Sequence, residues 1–241
     1  MGEIYDSNKR VLPDRLPWMM KQIWSDILFL HYPVKKEKIE ILLPPKIQLD
    51  TYEGQAWITI VPYVIKSIGV RGLPFIPLGR GIPGINVRTY VKMGEKPGIY
   101  FLKLALPQKL TAMMAKYLFH LPYISMDLSF EKTEKMIQFE SKTTPLPFTC
   151  QYRVLPASSP IKKETLEEWL LERYCFYTTN TKGKVIRCDI IHEPWFIHKV
   201  ELVGIENGIL STFHIQSEST HPLIQYSKDA NVRLWPIVTA K

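Results

Sequence analysis

The sequence predicts an α+β domain built on a largely antiparallel sheet. Apolar and polar residues alternate with period two along most of the chain, and Gly, Pro, Asn and Asp punctuate the runs. Helical stripes are few and fall between strands. One run, Ala56 to Val61, is apolar at almost every position, so it is covered on both faces, either in a sheet under helices or in a closed barrel. With 241 residues, 46% of them hydrophobic and 22% charged, the chain holds enough apolar material for one core. Residues 1–241 are read as a single domain, with 1–15 as a loose N-terminal segment.

Taken in order, Met20, Ile23, Trp24 and Ile27 form a short helical stripe that gives way to an extended stretch from Leu28 to Val34. Lys36 to Leu43 reads as a turn or two of amphipathic helix, stopped by Pro44 and Pro45, which lack the N–H and clash with a preceding turn. Ile47 to Asp50 and Gln55 to Ile65 flank Asp50-Thr-Tyr-Glu-Gly54 and are expected to pair as a hairpin. Lys66 to Gly84, rich in Gly and Pro and carrying Arg71 and Arg80, reads as a binding loop or lid. Ile85 to Lys92 and Ile99 to Leu106 form a second hairpin. Pro107 opens a helix with Leu110, Met113, Met114, Tyr117 and Leu118 inward, ending near His120. Strands follow at Tyr123 to Glu131, Met136 to Thr143 and Phe148 to Leu155. Thr165 and Glu168 form a capping box for a helix from Leu166 to about Arg173. Tyr174 to Thr179, Lys184 to His192, Val200 to Ile205 and Ile209 to Ile215 complete the strands.

Composition removes several classes of function. No apolar run approaches the roughly 20 residues needed to span a bilayer, and Met1 to Arg15 has no apolar signal core, so a cytoplasmic protein is expected. Cys150, Cys175 and Cys188 have no zinc or redox spacing and read as buried thiols. Lys and Arg outnumber Asp and Glu by 31 to 23, but the +8 charge is dispersed in small clusters at turns, which argues for a solvated surface and against nucleic-acid binding. The six tryptophans are spread along the chain and offer no stacking platform for bases. Pro194 turns the chain between His192 and His198, so no metal site is expected there. The Gly-rich segment lacks a phosphate-loop ending, and no cofactor is expected.

The strand with the most chemistry is Ile85 to Lys92. Ile85, Val87, Thr89 and Val91 point one way, and Asn86, Arg88 and Tyr90 the other. Such a face can orient a small carboxylate, Arg88 by a bidentate pair and its neighbours by hydrogen bonds. Glu172 and Arg173, at the end of the second long helix, are the rival site residues. An Arg88–Glu172 ion pair across the core is an equally supported structural alternative. Lys103 shares its expected face with Ile99, Phe101 and Ala105, where desolvation would favour a neutral amine.

Six strings, His31-Tyr-Pro-Val, Leu42-Leu-Pro-Pro-Lys-Ile-Gln-Leu-Asp-Thr, Asn86-Val-Arg-Thr-Tyr-Val, Leu121-Pro-Tyr, Glu172-Arg-Tyr-Cys and His192-Glu-Pro-Trp, keep the order of the YqjF-like family of uncharacterised bacterial proteins, and the chain resembles that family from Trp18 to Pro236. The resemblance implies an acetoacetate-decarboxylase-like fold, a curved antiparallel sheet closing into a barrel around a central pocket with a few flanking helices. Fold does not carry activity with it. The decarboxylase uses a Schiff-base lysine beside a second lysine that lowers its pKa. Its Pro-Lys-Lys-Leu lies beside Pro107, Gln108, Lys109 and Leu110, where glutamine replaces the first lysine. Lys103 and Lys109 are then the candidate catalytic amines. Asn86, Arg88, Tyr90, Glu172 and Arg173 are the candidate ligand-binding residues. The expected partner is a small anionic or carbonyl-bearing metabolite, with self-association into a homo-oligomer left open. A decarboxylase or lyase acting on a keto acid and a non-catalytic binding or interaction module both remain open.

Overall fold

In the computed structural model, which describes residues 16–107, 120–141 and 146–240, the first stretch departs from expectation. Met20, Trp24 and Ile27 are spaced like a helical stripe, yet they lie on one long strand, β1 (Met20–Val34). A bulge creates the spacing. Asp26 adopts φ 51° and is an extra residue relative to the neighbouring strand, so the face in one core passes from Met20 and Trp24 to Ile27 and Phe29.

β1 pairs on one side with β3 (Ala56–Val70) and on the other with β13 (Leu223–Leu234), both antiparallel. β3 pairs with β4 (Ile76–Met93), and β4 with β5 (Lys96–Leu106). β5 carries the short parallel strand β6 (Tyr123–Ser125) and joins β10 (Cys175–Thr179) in parallel through Ile99 and Tyr100, and β10 pairs with β11 (Val185–Ile191). β11 then returns to β13 through Ile190 opposite Leu234 and Ile191 opposite Arg233, which closes a ring of seven strands. The sheet also runs on from β13 through β12 (Phe196–Asn207), β9 (Phe148–Pro160), β8 (Ile137–Ser141) and β7 (Ser129–Lys132).

Two cores result. Every ring strand contributes to the first, which gathers Phe29, Trp57, Val61, Tyr90, Phe101, Phe176, Cys188 and Val232 inside the ring. The second packs the outer faces of β1, β3 and β4, through Leu28, Leu30, Ile58, Ile60, Ile85 and Val87, against Phe139, Phe148, Cys150 and Tyr152 of the extended sheet. This double burial is why Ala56 to Val61 is apolar at every position but Thr59. Helix α2 (Leu166–Leu171) sends Leu170 and Leu171 into the first core. The threonine half of its capping box forms, with Thr165 Oγ1 accepting from Glu168 N at 3.3 Å, while Glu168 Oε2 accepts from Glu164 N, one residue before the cap, at 2.8 Å.

Other expectations are corrected. The short strand β2 (Gln48–Leu49) does not fold back on β3 but pairs with β4 at Lys92 and Val91. The Gly- and Pro-rich segment after Lys66 is the far end of the β3–β4 hairpin and not a lid, with Ile68 opposite Ile76. Ile209 to Ile215 is not a strand: Asn207 Oδ1 accepts from Ile209 N at 3.1 Å, and a short helix, α3 (Ile209–Thr212), follows Gly208. Central strand β13 carried no expectation, since its buried face changes phase between Tyr226 and Ala230. Helix α1 (Lys36–Glu40) forms as expected, with Ile39 buried. Residues 1–15 and most of the helix expected after Pro107 lie outside the described residues. Among those described, no helix is long and apolar enough to cross a membrane.

Candidate functional site

β4 delivers the expected polar face to the interior of the ring. Asn86 is paired with Val61 and Leu104, Arg88 with Thr59 and Phe101, and Tyr90 with Ile99, and the first core holds all of these apolar partners. Ile85 and Val87 face the second core. Asn86, Arg88 and Tyr90 are 2%, 8% and 0% exposed, so this face looks into protein and not into water.

A hydrogen-bonded chain links four neighbouring strands, β4, β3, β1 and β13. The Tyr90 hydroxyl is 2.6 Å from Thr59 Oγ1, which is 2.8 Å from His31 Nδ1, and His31 Nε2 is 2.9 Å from Gln225 Oε1. Burial, and after it the Arg88 charge, hold the His31 pKa down at about 3, against the opposing pull of Gln225. The imidazole is therefore neutral at pH 7. An amide oxygen only accepts, so Nε2–H donates to Gln225 Oε1, Nδ1 accepts from Thr59, and Tyr90 donates to Thr59. Burial raises the Tyr90 pKa although Arg88 opposes it, which keeps the phenol protonated.

Arg88 lies beside Tyr90 with its guanidinium 5.4 Å from the centre of the Phe29 ring. Burial, above all, lowers its pKa. No carboxylate among the described residues forms an ion pair with it. Its Nε is buried without a hydrogen-bond partner, as is Asn86 Oδ1. Arg173 differs. It donates to Asp50 Oδ2 at 2.6 Å and to the Trp169 carbonyl at 2.7 Å, and stacks 4.2 Å over the Trp169 ring and 5.2 Å from that of Tyr90. Its Nη2 remains unpartnered.

The Arg88–Glu172 ion pair is not formed. Glu172 caps α2, accepts a hydrogen bond from the Tyr174 hydroxyl, and lines an open groove of about 230 Å³ with Asp50, Lys92, Glu95, Trp169 and Arg173. The structure thus brings Asn86, Arg88, Tyr90 and Arg173 together and sets Glu172 at the outer side of Arg173.

Lys103 is placed on the other face. Leu102 is a bulge residue in β5: Arg88 is opposite Phe101, but Val87 is opposite Lys103. The half-buried Lys103 therefore shares the face of Val87, Ile85 and Ala105, whereas Phe101, Leu104 and Leu106 belong to the interior. Expecting Lys103 beside Ile99 and Phe101 fails because the bulge shifts the alternation by one residue. No lysine among the described residues is buried. Lys109 and Gln108 lie outside them.

The sequence pattern does not single out Thr59 or Gln225, nor does it link His31 to either of them. Thr59 was hidden in an apolar run and Gln225 in a stretch with no steady period. Only the odd-position phase of Ile27, Phe29 and His31 could have indicated that the histidine faces inward. Trp195 and Trp57 also belong to the first core. Trp195 packs edge-on against Phe29 at 5.2 Å, and Trp57 leaves its buried Nε1 without a partner.

The chain matches the model of DUF2071, described as an uncharacterized conserved protein, over residues 21–231. It is 37% identical over 240 residues to "Uncharacterized protein YqjF" of Bacillus subtilis (strain 168), covering 98% of each chain. Among solved structures it is similar to an acetoacetate decarboxylase-like enzyme from Sphingomonas wittichii RW1, with TM-score 0.61, 7% identity and 94% of both chains covered. It is also similar to the enduracididine biosynthesis enzyme MppR complexed with pyruvate, with TM-score 0.62 and 8% identity over 94% of this chain and 92% of that one. At these identities the structural likeness shows the fold alone.

Proposed function

The chain belongs to the DUF2071 family, and on that premise we propose that the interior of its strand ring is a closed-barrel pocket that binds a small carboxylate, including carbonyl-bearing acids. The observation that carries this reading is Arg88, a buried guanidinium with an unpartnered Nε and no carboxylate counter-ion among the described residues. An uncompensated buried cation costs several kcal/mol, so its retention calls for an anion supplied from outside. Arg88 would hold the carboxylate, Tyr90 would be oriented by the Thr59–His31–Gln225 chain, and Phe29, Phe101 and Trp195 would surround the apolar remainder. The pyruvate complex of a protein with the same fold supports the choice of ligand class. Three free, buried cysteines agree with a reducing, cytoplasmic setting.

In this reading the ligand is held without a Schiff base at Lys103, because that side chain is on the far face of β5. A thermal-shift screen of short-chain carboxylic, hydroxy and keto acids, followed by calorimetry, is the test. At least one acid is expected to bind, with Arg88→Gln weakening it at least tenfold and Tyr90→Phe less. Ligands that bind the Arg88→Gln protein as well as the wild type would sink the assignment. Borohydride trapping with pyruvate and acetoacetate is expected to leave Lys103 unmodified, and an adduct on it would overturn the non-covalent reading.

A further inference from the structure

At the end of the ring away from the β4–β5 turn, the β3–β4 hairpin carries an apolar tip in a basic setting. Leu73 is 66% exposed, Ile76 60%, Val70 42% and Phe75 40%. Residues 70–77 are exposed without interruption, so both faces of the hairpin end stand clear of the body and form neither a groove nor a flat patch. Scattered exposed apolar residues are ordinary, but four at one tip mark a contact with a less polar medium.

The charges there have one sign. No Asp or Glu occurs between Glu53 and Glu95, whereas Lys66, Arg71 and Arg80 lie within that stretch. Lys21 joins them, as it pairs with Gly69 on one side and with Arg233 on the other. The cations are held against the tip by aromatic rings: Lys21 Nζ is 5.3 Å from the centre of Phe75, and the Arg71 guanidinium is 5.5 Å from that of Trp18. The Phe75 ring in turn covers Gly69, where a Cβ would meet it at 2.6 Å. The Phe75 ring thus sits between Gly69 and the Lys21 ammonium at the base of the exposed tip.

We propose that this tip docks the protein on the surface of an anionic lipid bilayer, with Leu73, Ile76 and Phe75 entering the headgroup boundary and Lys21, Lys66, Arg71, Arg80 and Arg233 meeting the lipid phosphates. Apolar side chains ringed by cations are the arrangement that partitions into such an interface. A second copy fits poorly, because a two-fold contact through this face sets the same cations against each other. This surface contact needs no membrane-spanning segment and is independent of the ligand reading for the ring interior.

The test uses the full chain carrying Leu73→Cys, labelled with an environment-sensitive fluorophore at that exposed thiol. On vesicles of phosphatidylcholine with phosphatidylglycerol the emission is expected to shift to the blue and to be quenched by spin-labelled lipid tails, with no response to phosphatidylcholine alone. Arg71→Glu with Arg80→Glu is expected to weaken binding at least tenfold, as is raising the salt. In the unlabelled chain, Leu73→Ser with Ile76→Ser is expected to abolish co-sedimentation with the anionic vesicles while leaving the melting temperature unchanged. No response to either vesicle would overturn the proposal, as would an equal response to both. Emission already blue-shifted without lipid and dependent on protein concentration would assign the tip to a second copy, and a response only to added acidic polypeptide would assign it to a protein partner.

Discussion

At the scale of single residues, the two buried arginines answer to opposite physics. Arg88 is a cation without a carboxylate among the described residues, and Arg173 is half of an ion pair with Asp50 at 2.6 Å. Arg88→Met is expected to stabilise the unliganded protein by about 1–3 kcal/mol, because an apolar side chain of similar length replaces an uncompensated charge. At roughly 2–4 °C per kcal/mol the gain is visible in a melting curve, and it comes with loss of carboxylate binding. Arg173→Met is expected to destabilise by about 3–5 kcal/mol, since it strands Asp50, whose side chain is only 13% exposed. His31 supplies the pH dependence. Its folded pKa of about 3 lies below the unfolded value of 6.5, so between these values the unfolded chain binds a proton that the folded one refuses. Its contribution is therefore fully present above pH 6.5 and is lost as the pH falls toward 3. In denaturant titrations His31→Gln is expected to show a shallower acid limb, the difference reaching a few kcal/mol near pH 4. Identical limbs would mean that the imidazole is not buried neutral.

At the scale of elements, bulges decide which side chains meet. The extra residue at Asp26 turns His31 inward, and the extra residue at Leu102 turns Lys103 outward. Neither is visible in an alternation pattern, because a strand read from its own sequence continues its period through a bulge unless a partner strand shows the added residue. The polar face of Asn86, Arg88 and Tyr90 was legible because β4 has no phase change between Ile85 and Tyr90. The capping box at Thr165 was legible because it depends on neighbours in sequence alone. One glycine tests the parallel seam between β5 and β10. A Cβ at Gly98 would lie 2.7 Å from Cys175 Sγ and 2.9 Å from the Cys175 carbonyl oxygen. Gly98→Ala is thus expected to force these strands apart and cost about 1–3 kcal/mol by chemical denaturation. A neutral result would show that the seam gives way freely.

For the whole molecule, the ring is held unevenly. β1, β3 and β4 pair over most of their lengths, whereas β11 meets β13 through two residue pairs and β10 meets β5 through two. Local opening is expected at these short seams first, so in hydrogen–deuterium exchange β10 and β11 should lose protection faster than β1 and β3, and a carboxylate ligand should slow both seams. Uniform exchange around the ring would refute this division. By itself the sequence determined the class, a mainly antiparallel sheet with few helices, and the family, since periodicity, turn chemistry and ordered motifs are local properties written at adjacent positions. It also determined that Arg88 and Tyr90 share a face. Only the tertiary structure decided that His31, Thr59 and Gln225 lie along that face, that Arg173 takes Asp50 as its partner, and that Lys103 is on the opposite face of β5 from Phe101. Those facts depend on which strands lie side by side and where each is bulged, and pairing between segments distant in the chain leaves no mark in the period of either one.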